Sequence, residues 1–369
     1  MIILIKHRSE KLKMASKQTQ KAGDNSNQAQ IGALIINGID EKRVREVVVE
    51  LLPTALQDLT EEATALARSR AEKFNKRLVT RMVQEEALSA FSDPSFQVLL
   101  IEAQKRAAST EREPDYNLLS ELMVHRFKKG TNRVVRAGIS RAVEIVDQIS
   151  DEALLGITVF HSVSYFIPAS GEMPIGLKTL NNLFGKVIYS DLPTGSVWLD
   201  HLDILDAVRA SSFGGTKLLE DYWYDQFDGY LKKGIEESSE KHTEASEILK
   251  KAKLSESFLV KNVSDEKYVR LPILNKDRIA LLTVSDALKQ NRNLTNDEIT
   301  ALEEVYGLYD DQKMSKKDFI TEIEKHSNLK KLRDWWNTLS TQSIQITSVG
   351  KVLAHSNAQR ADRSLPPLV

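Results

Sequence analysis

The sequence predicts a mainly α-helical protein of two to three domains, with a short N-terminal β-strand and a small β element near the C-terminus. Apolar residues recur at helical spacing over most of the chain. Strand-like patterns are confined to residues 25–38 and to the stretch that begins SIQI at residue 343. The 369 residues are too many for one ordinary core, which favours several domains.

The first region, residues 1–24, is polar and basic without periodicity, and it is predicted to be a disordered tail. Residues 25–112 form the second region. Within it, Gln28 to Ile36 alternates loosely and ends at the turn pair Asn37-Gly38, which predicts a strand.

A helical stretch follows this strand in the second region. Asp40 is a good N-cap, Pro53 marks a break, and residues 54–90 read as one long, highly charged helix. A lone strand leaves its backbone groups without partners, and so polar a helix is hard to bury in one subunit. The region is therefore predicted to hold a homo-oligomer together, most simply a dimer, through the oligomerisation residues Gln28, Gln30, Ile31, Leu34 and Ile36.

The third region, residues 113–256, is predicted to be a central helical domain with helices near 115–128, 131–149 and 151–167. The last of these holds most of the longest charge-free run of the chain, Ala153 to Gly171. Its strongly apolar part has about 15 residues against about 20 needed to cross a bilayer, which favours a buried central helix and no membrane partner.

The fourth region, residues 257–369, is predicted to be a C-terminal helical domain, with a winged-helix-like unit as one interpretation. Thr295 and Glu298 form a capping-box pattern that opens one of its helices. A β-like stretch and a short helix follow these helices. The helices are expected near 278–290, 296–308, 317–327 and 329–340.

The composition excludes several classes of function. Net charge is −1, from 51 basic and 52 acidic side chains, which argues against a broad nucleic-acid-binding surface. The chain has no cysteine, so disulfides, Cys-ligated zinc and thiol catalysis are excluded. The apolar run near the start, Ile2 to Ile5, is too short for a secretory leader, and Met14 is an alternative initiator. A cytoplasmic protein is therefore expected.

An acidic segment with one histidine, WLDHLDILDAVR, is the most site-like stretch. Asp200, His201, Asp203 and Asp206 crowd one predicted helix, and carboxylates with a histidine suit a divalent metal. However, His201 is only one and two residues from Asp200 and Asp203, so these side chains do not share a helix face. A solvated acidic face is the favoured interpretation, a metal-dependent hydrolase is the alternative, and no cofactor is predicted.

A basic cluster lies between residues 125 and 141 and is the strongest in the chain. Its cations are able to line phosphates, although no phosphate-loop pattern occurs and a solvated helix face is favoured. The candidate nucleic-acid-binding residues are Arg126, Lys128, Lys129, Arg133, Arg136 and Arg141.

His161 lies in the apolar run beside Ser162 and Ser164, the two elements of a nucleophilic pair. No Gly-x-Ser-x-Gly pattern accompanies them, so a core histidine is favoured. The aromatic residues of Trp335-Trp336 and of residues 222–230 are expected mainly in cores or between domains.

Three segments carry a resemblance to known families. GDNSNQAQIG (residues 23–32) and the stretch from Leu118 to His161 resemble the opening and middle of an uncharacterised family of bacterial proteins. The tail ITSVGKVLAHSNAQR resembles the endings of several bacterial families of unknown function, some associated with phage defence. The resemblance implies a bacterial intracellular protein and carries no catalytic motif.

No catalytic constellation or cofactor fingerprint is complete in the sequence. The leading hypothesis is therefore a non-enzymatic, self-assembling interaction or scaffold protein, in a setting of anti-phage defence. Its predicted partner is a second copy of itself, with another defence protein as a further candidate. The alternatives are a nucleic-acid-binding protein that uses the basic cluster or the C-terminal domain, and a metal-dependent hydrolase.

Overall fold

The chain divides into two units, each with its own contacts. The N-terminal unit holds residues 5–148 with 368–369, and the C-terminal unit holds residues 1–4 with 149–367. The computed structural model describes residues 2–4, 40–56, 60–129, 132–211, 213–285 and 291–368. The strand predicted over residues 28–36, with its oligomerisation residues, lies outside these ranges.

The described part of the N-terminal unit is helical. Its helices are α1 (Glu41–Ala55), α2 (Glu61–Gln84), α3 (Pro94–Ser109), α4 (Glu113–Lys129) and α5 (Arg133–Ile145), with a 3-10 helix at Leu88–Ser92. α1 begins where predicted, because the Asp40 carboxylate accepts the backbone N–H of Arg43 at 2.7 Å. α3 begins at Asp93-Pro94, where Asp93 caps Ser95 and proline suits the first turn.

α2 differs from the predicted long helix in both length and packing. It has 24 residues and buries Phe74, Leu78 and Met82, and it packs on α3 and α4 of its own unit. Its Arg81 is paired with Glu121 of α4 at 2.6 Å. The inference that this helix needs a second copy to bury its apolar face was therefore wrong. The sequence shows which helix face is apolar and gives no sign of which helix covers it.

The C-terminal unit combines helices with short strands. Its helices are α6 (Asp151–Tyr165), α7 (Met173–Val187), α8 (Val197–Ile204), α9 (Leu219–Gln226), α10 (Asp228–Leu231), α11 (Glu240–Lys251), α12 (Asn296–Gly307), α13 (Lys316–Glu324), α14 (Ser327–Asn337) and α15 (Ser348–Ala361). Two 3-10 helices lie at Glu256–Phe258 and Lys276–Leu281.

The strands of this unit all pair antiparallel. They are β1 (Ile2–Leu4), β2 (Phe166–Pro168), β3 (Val208–Ser211), β4 (Ile235–Glu236), β5 (Val260–Lys261), β6 (Tyr268–Arg270), β7 (Thr283–Ser285), β8 (Asn291–Asn293) and β9 (Ser343–Ile346). The sheet orders are β1-β2, β3-β9, β4-β6-β5 and β7-β8. β1 lies at the start of residues 1–24, the tail that the sequence predicts to be disordered, and it pairs with β2. The rest of that tail lies outside the described residues.

The core of the C-terminal unit is built around two groups of helices. α6 packs along α15 and buries ten residues, which confirms the predicted buried central helix. A second cluster joins α11 and α12 to the β4-β6-β5 sheet around Ile235, Leu271 and Leu302. The mainly α-helical fold class with small β elements is thus confirmed.

The predicted division after residues 112 and 256 does not coincide with the two units. α4 starts at Glu113 and packs on α2 and α3 within the N-terminal unit. β9 pairs with β3 in a register that joins Val208 to Ile346, so the C-terminal residues complete the unit that begins at residue 149. Such pairing over long sequence separations is invisible to local periodicity. The helix expected near 278–290 was also wrong: a 3-10 helix ends at Leu281, and β7 pairs with the nearby β8.

Candidate functional site

An apolar concavity in the described N-terminal unit lies between α1 and α2, and we call it the α1–α2 cleft. Its volume is about 400 Å³. The side chains that face it recur every three or four residues on both helices, which makes a groove along the helix pair. It is lined by Arg45, Val48, Val49, Leu52, Pro53, Arg68, Glu72, Asn75, Lys76 and Val79.

α1 gives the cleft an exposed apolar side chain and a polar backbone group. The side chain of Val49 is 65% exposed, although it lies between the buried Val48 and Leu52. Pro53 lies inside the helix and has no N–H, so the carbonyl of Val49, four residues earlier, lacks its usual intrahelical donor. A polypeptide in the cleft can supply that donor from its own backbone.

A buried amide network fixes the floor of the cleft. The Nε2 of Gln104, on α3, donates to the carbonyl of Val48 at 2.9 Å and to Oδ1 of Asn75 at 3.1 Å. Gln104 is fully buried, and its Oε1 has no hydrogen-bond partner among the described residues. Because Val48 and Asn75 line the cleft from opposite helices, this network holds α1 and α2 at a fixed spacing.

The rim of the cleft carries more positive than negative charge. Arg45, Arg68 and Lys76 lie there with one carboxylate, Glu72. Arg45 is itself paired with Glu41 along α1. The lining contains no histidine, serine or tyrosine, and its ionisable side chains are the four on the rim. The arrangement suits binding of an apolar polypeptide segment.

The acidic segment around α8 contacts the basic side chain of Arg209 and a backbone N–H. His201 accepts the backbone N–H of Ser150 through Nε2 at 3.2 Å. Asp206 is paired with Arg209 at 2.9 Å, and Asp203 lies 3.7 Å from the same guanidinium. In the part of the chain that the structure describes, Asp200, His201 and Asp203 form no metal-binding group of three ligands.

The basic cluster is divided among buried, paired and exposed side chains. Arg126 is buried and donates to Ser95 at 2.7 Å, Lys128 is paired with Glu85, and Arg141 lies 3.1 Å from Glu144. Among the described residues, Lys129, Arg133 and Arg136 make no salt bridge. Two of the six predicted phosphate-binding residues, Arg126 and Lys128, therefore contact other parts of the unit, and Arg141 pairs along its own helix.

His161 is a core histidine, as favoured from the sequence. It is 2% exposed, and its Nε2 lies 3.2 Å from Nδ1 of His355 on α15. His355 Nε2 lies 2.9 Å from the carbonyl of Pro366, which accepts only, so His355 donates there and accepts from His161. Burial, and secondarily Lys351, lowers the pKa of His161 to about 3. The His161 ring is therefore neutral near pH 7.

The neighbouring hydroxyls are not activated as nucleophiles. Ser162 donates to the carbonyl of Thr158 at 2.7 Å, and Ser164 donates to the carbonyl of His161 at 3.1 Å. These are bonds within α6, of the kind that serine makes to the preceding helical turn. The aromatic groups are likewise core: Trp223, Phe227, Trp335 and Trp336 are all buried.

The α1–α2 cleft was missed in the sequence. The available signal was the valine run ahead of Pro53, since a helix with three successive valines cannot bury all of them on one side.

A protein-family model, that of an uncharacterised family, matches residues 38–363. No curated protein and no solved structure matches the chain. Over the described residues, no helix combines the length and the apolar character that crossing a membrane requires.

Proposed function

The chain belongs to the uncharacterised family whose model matches residues 38–363, and from its own geometry we propose that it is a self-associating interaction protein. In this proposal the α1–α2 cleft of one copy binds residues 31–36 of a second copy. The observation that carries the proposal is the cleft itself, which combines a volume of about 400 Å³ with an exposed Val49.

Covering the cleft is favourable for a physical reason. Burial of apolar surface stabilises by roughly 25 cal/mol per Å². The wall formed by Val48, Val49 and Leu52 is apolar, and the amide network below it keeps the groove open at a fixed width. Preformed grooves between helices are a common mode of peptide recognition.

Residues 31–36, IGALII, are the occupant that we propose. They are uncharged and apolar. Six residues in an extended chain span about 20 Å. The cleft runs along α2 from Arg68 to Val79, which corresponds to about 16 Å of helix. An extended segment also brings backbone N–H groups, the donors that the carbonyl of Val49 lacks.

In this proposal the segment comes from a second copy, because two copies that exchange their segments leave no cleft unfilled. Each chain supplies one segment and one cleft, so two chains related by a twofold axis fill both clefts. The alternative, in which the segment folds back onto its own α1 through Asn37-Gly38, leaves the chain a monomer. The predicted phage-defence setting and the other partners named from the sequence stay predictions.

Replacing Val49 with glutamate is expected to abolish self-association, because the apolar segment would then have to cover a charged side chain. Light scattering behind size-exclusion chromatography should give the wild-type chain twice its mass of 41.6 kDa, and Val49→Glu the single mass. Val98→Glu is the matched control, since Val98 is 69% exposed on α3 and does not line the cleft.

The control should keep the doubled mass, and circular dichroism should show unchanged helix content in both variants. A wild-type chain of single mass would contradict the proposed function. So would a Val49→Glu variant that keeps the doubled mass.

A further inference from the structure

A second concavity lies in the C-terminal unit, where α7 begins beside the β5–β6 hairpin. Its enclosed volume is about 10 Å³, room for one water-sized group, and its mouth opens to solvent. It is lined by Glu172, Met173, Pro174, Tyr230, Val260, Lys261, Asn262, Val263, Ser264 and Arg270.

Arg270 is the unusual residue of this concavity. It is 5% exposed, and among the described residues no carboxylate lies within ion-pair distance of its guanidinium. Its Nη2 donates to the carbonyls of Gly171 and Ile273, and the group lies 5.9 Å from the ring centroid of Tyr230. Neutral carbonyls and a ring compensate a buried charge only in part, and burial lowers the pKa of Arg270.

The Nη1 and Nε of Arg270 are the donors left for a ligand. Among the described residues the structure gives them no acceptor. Arginine presents its donors as a planar fork that matches the oxygens of a carboxylate or phosphate. The guanidinium is therefore prepared for an oxyanion on the side that faces the concavity.

Three other features favour negative charge at the same place. α7 has 15 residues, and its first turn lines the concavity without any side-chain cap on its N–H groups. Lys261 stands at the mouth, where its one salt bridge to a described residue, Glu237 at 3.5 Å, is solvent-exposed and weak. Ser264 adds a hydroxyl.

The hairpin loop is also rigidly held. Asn262 donates from Nδ2 to the carbonyl of Lys233 at 2.9 Å, and its Oδ1 accepts the backbone N–H of Ser264 at 2.8 Å. Lys233 in turn is paired with Asp265 at 3.3 Å. Lys261 and Ser264 are thus positioned on either side of a fixed asparagine.

We propose that this concavity is a binding site for an oxyanion, the phosphate or carboxylate end of a ligand whose remainder lies outside the mouth. One oxygen enters between the Arg270 guanidinium and the first turn of α7, and Lys261 and Ser264 contact the oxygens that stay outside. The enclosed volume admits one oxygen atom and is too small for a whole ligand, so the rest of the ligand has to lie outside the mouth.

Glu172 provides a direct test of the proposed anion site. It is the only acidic residue that lines the concavity, and it lies beyond ion-pair distance of Arg270 among the described contacts. Its charge opposes an incoming anion, so its removal should strengthen binding. A residue with only a structural role would not give a gain of affinity on mutation.

The test is isothermal titration of the full chain with inorganic phosphate and, separately, with acetate, at constant ionic strength. We expect saturable binding of at least one of these probes, and the stronger probe identifies the ligand class. Lys261→Gln should weaken binding about tenfold, the loss of one charge-assisted hydrogen bond, and Glu172→Gln should tighten it several-fold. Arg270→Gln should abolish it.

Lys267→Gln is the matched control, because Lys267 is exposed on the same hairpin and does not line the concavity. It should leave binding unchanged. If Arg270→Gln fails to fold, the Lys261 and Glu172 variants still decide the question. Absence of saturable binding by both probes, or binding that neither of these variants alters, would overturn the proposal. The outcome is independent of self-association, which involves the other unit.

Discussion

Replacing Glu220 with alanine is expected to lower the free energy of unfolding of the C-terminal unit by about 3 kcal/mol, the low end of the range for breaking a buried ion pair from one side. The low end applies because Nη1 of Arg333 keeps its contact with Glu324 at 2.8 Å. Glu220, on α9, is 5% exposed. Its two oxygens accept from Nε and Nη2 of Arg333, on α14, at 3.2 and 3.1 Å, and Asn337 donates to one of them at 2.9 Å.

The loss is large because alanine leaves Arg333 and Asn337 without their buried acceptor. Burial alone would raise the pKa of Glu220, but the hydrogen bonds from Asn337 and Arg333 outweigh it, and the pKa is lowered. The ionised form is thus the form that the fold stabilises. Chemical denaturation monitored by tryptophan fluorescence measures the effect.

The neighbouring Asp221 provides the control. Its carboxylate is paired with Lys316, and the two side chains are 37% and 52% exposed. Exposed pairs contribute at most about 1 kcal/mol. Asp221→Ala should therefore lower the free energy of unfolding far less than Glu220→Ala. Similar losses for the two variants would contradict the conclusion that Glu220 and Arg333 form a stabilising buried ion pair.

Acidification from pH 8 to pH 5 is expected to destabilise the C-terminal unit by about 2 kcal/mol through His161 alone. Its pKa is about 3 in the folded protein, because the ring is buried and lies near Lys351, against 6.5 in an exposed histidine. The unfolded chain therefore takes up the proton more readily. The stabilisation is complete above pH 6.5 and is lost progressively as the pH falls towards 3.

Between pH 8 and pH 5, the titration of histidines is separated from that of carboxylates. The buried and paired acids, such as Glu298 with a pKa of about 2, lose their contribution only as the pH falls below the ordinary value of 4.5. Urea denaturation at both pH values measures the change. His161→Gln should remove about 2 kcal/mol of the pH dependence, whereas His242→Asn, on α11, is the comparison with a partly exposed histidine. Equal pH dependence in His161→Gln and wild type would contradict the assignment.

Local features of the fold were predictable from the sequence. The capping box of Thr295 and Glu298 is present, with the Glu298 carboxylate accepting the backbone N–H of Thr295 at 2.7 Å. The apolar run that forms α6 is buried, as its length and composition predicted. Caps and periodicity are determined within a few residues, so they can be read without knowledge of the rest of the chain.

Features that depend on distant parts of the chain were not predictable. β3 pairs with β9 more than 130 residues away, and α2 is covered by α3 and α4. As a result, the two units divide between residues 148 and 149 and not after residues 112 and 256. Neither the α1–α2 cleft nor the concavity at Arg270 has a sequence motif. Each depends on residues from separate elements, and Arg270 looks like any other arginine until its burial is known.

A cysteine cross-link between residues 34 and 49 tests the central claim most directly, because the natural chain has no cysteine to compete. Leu34→Cys and Val49→Cys chains of different tag lengths are co-expressed and treated with a short bismaleimide. We predict a covalent heterodimer of the two chains, and none when Val98→Cys replaces Val49→Cys. A doubly substituted chain that cross-links only within itself, while the mixed chains stay separate, would contradict self-association through the α1–α2 cleft.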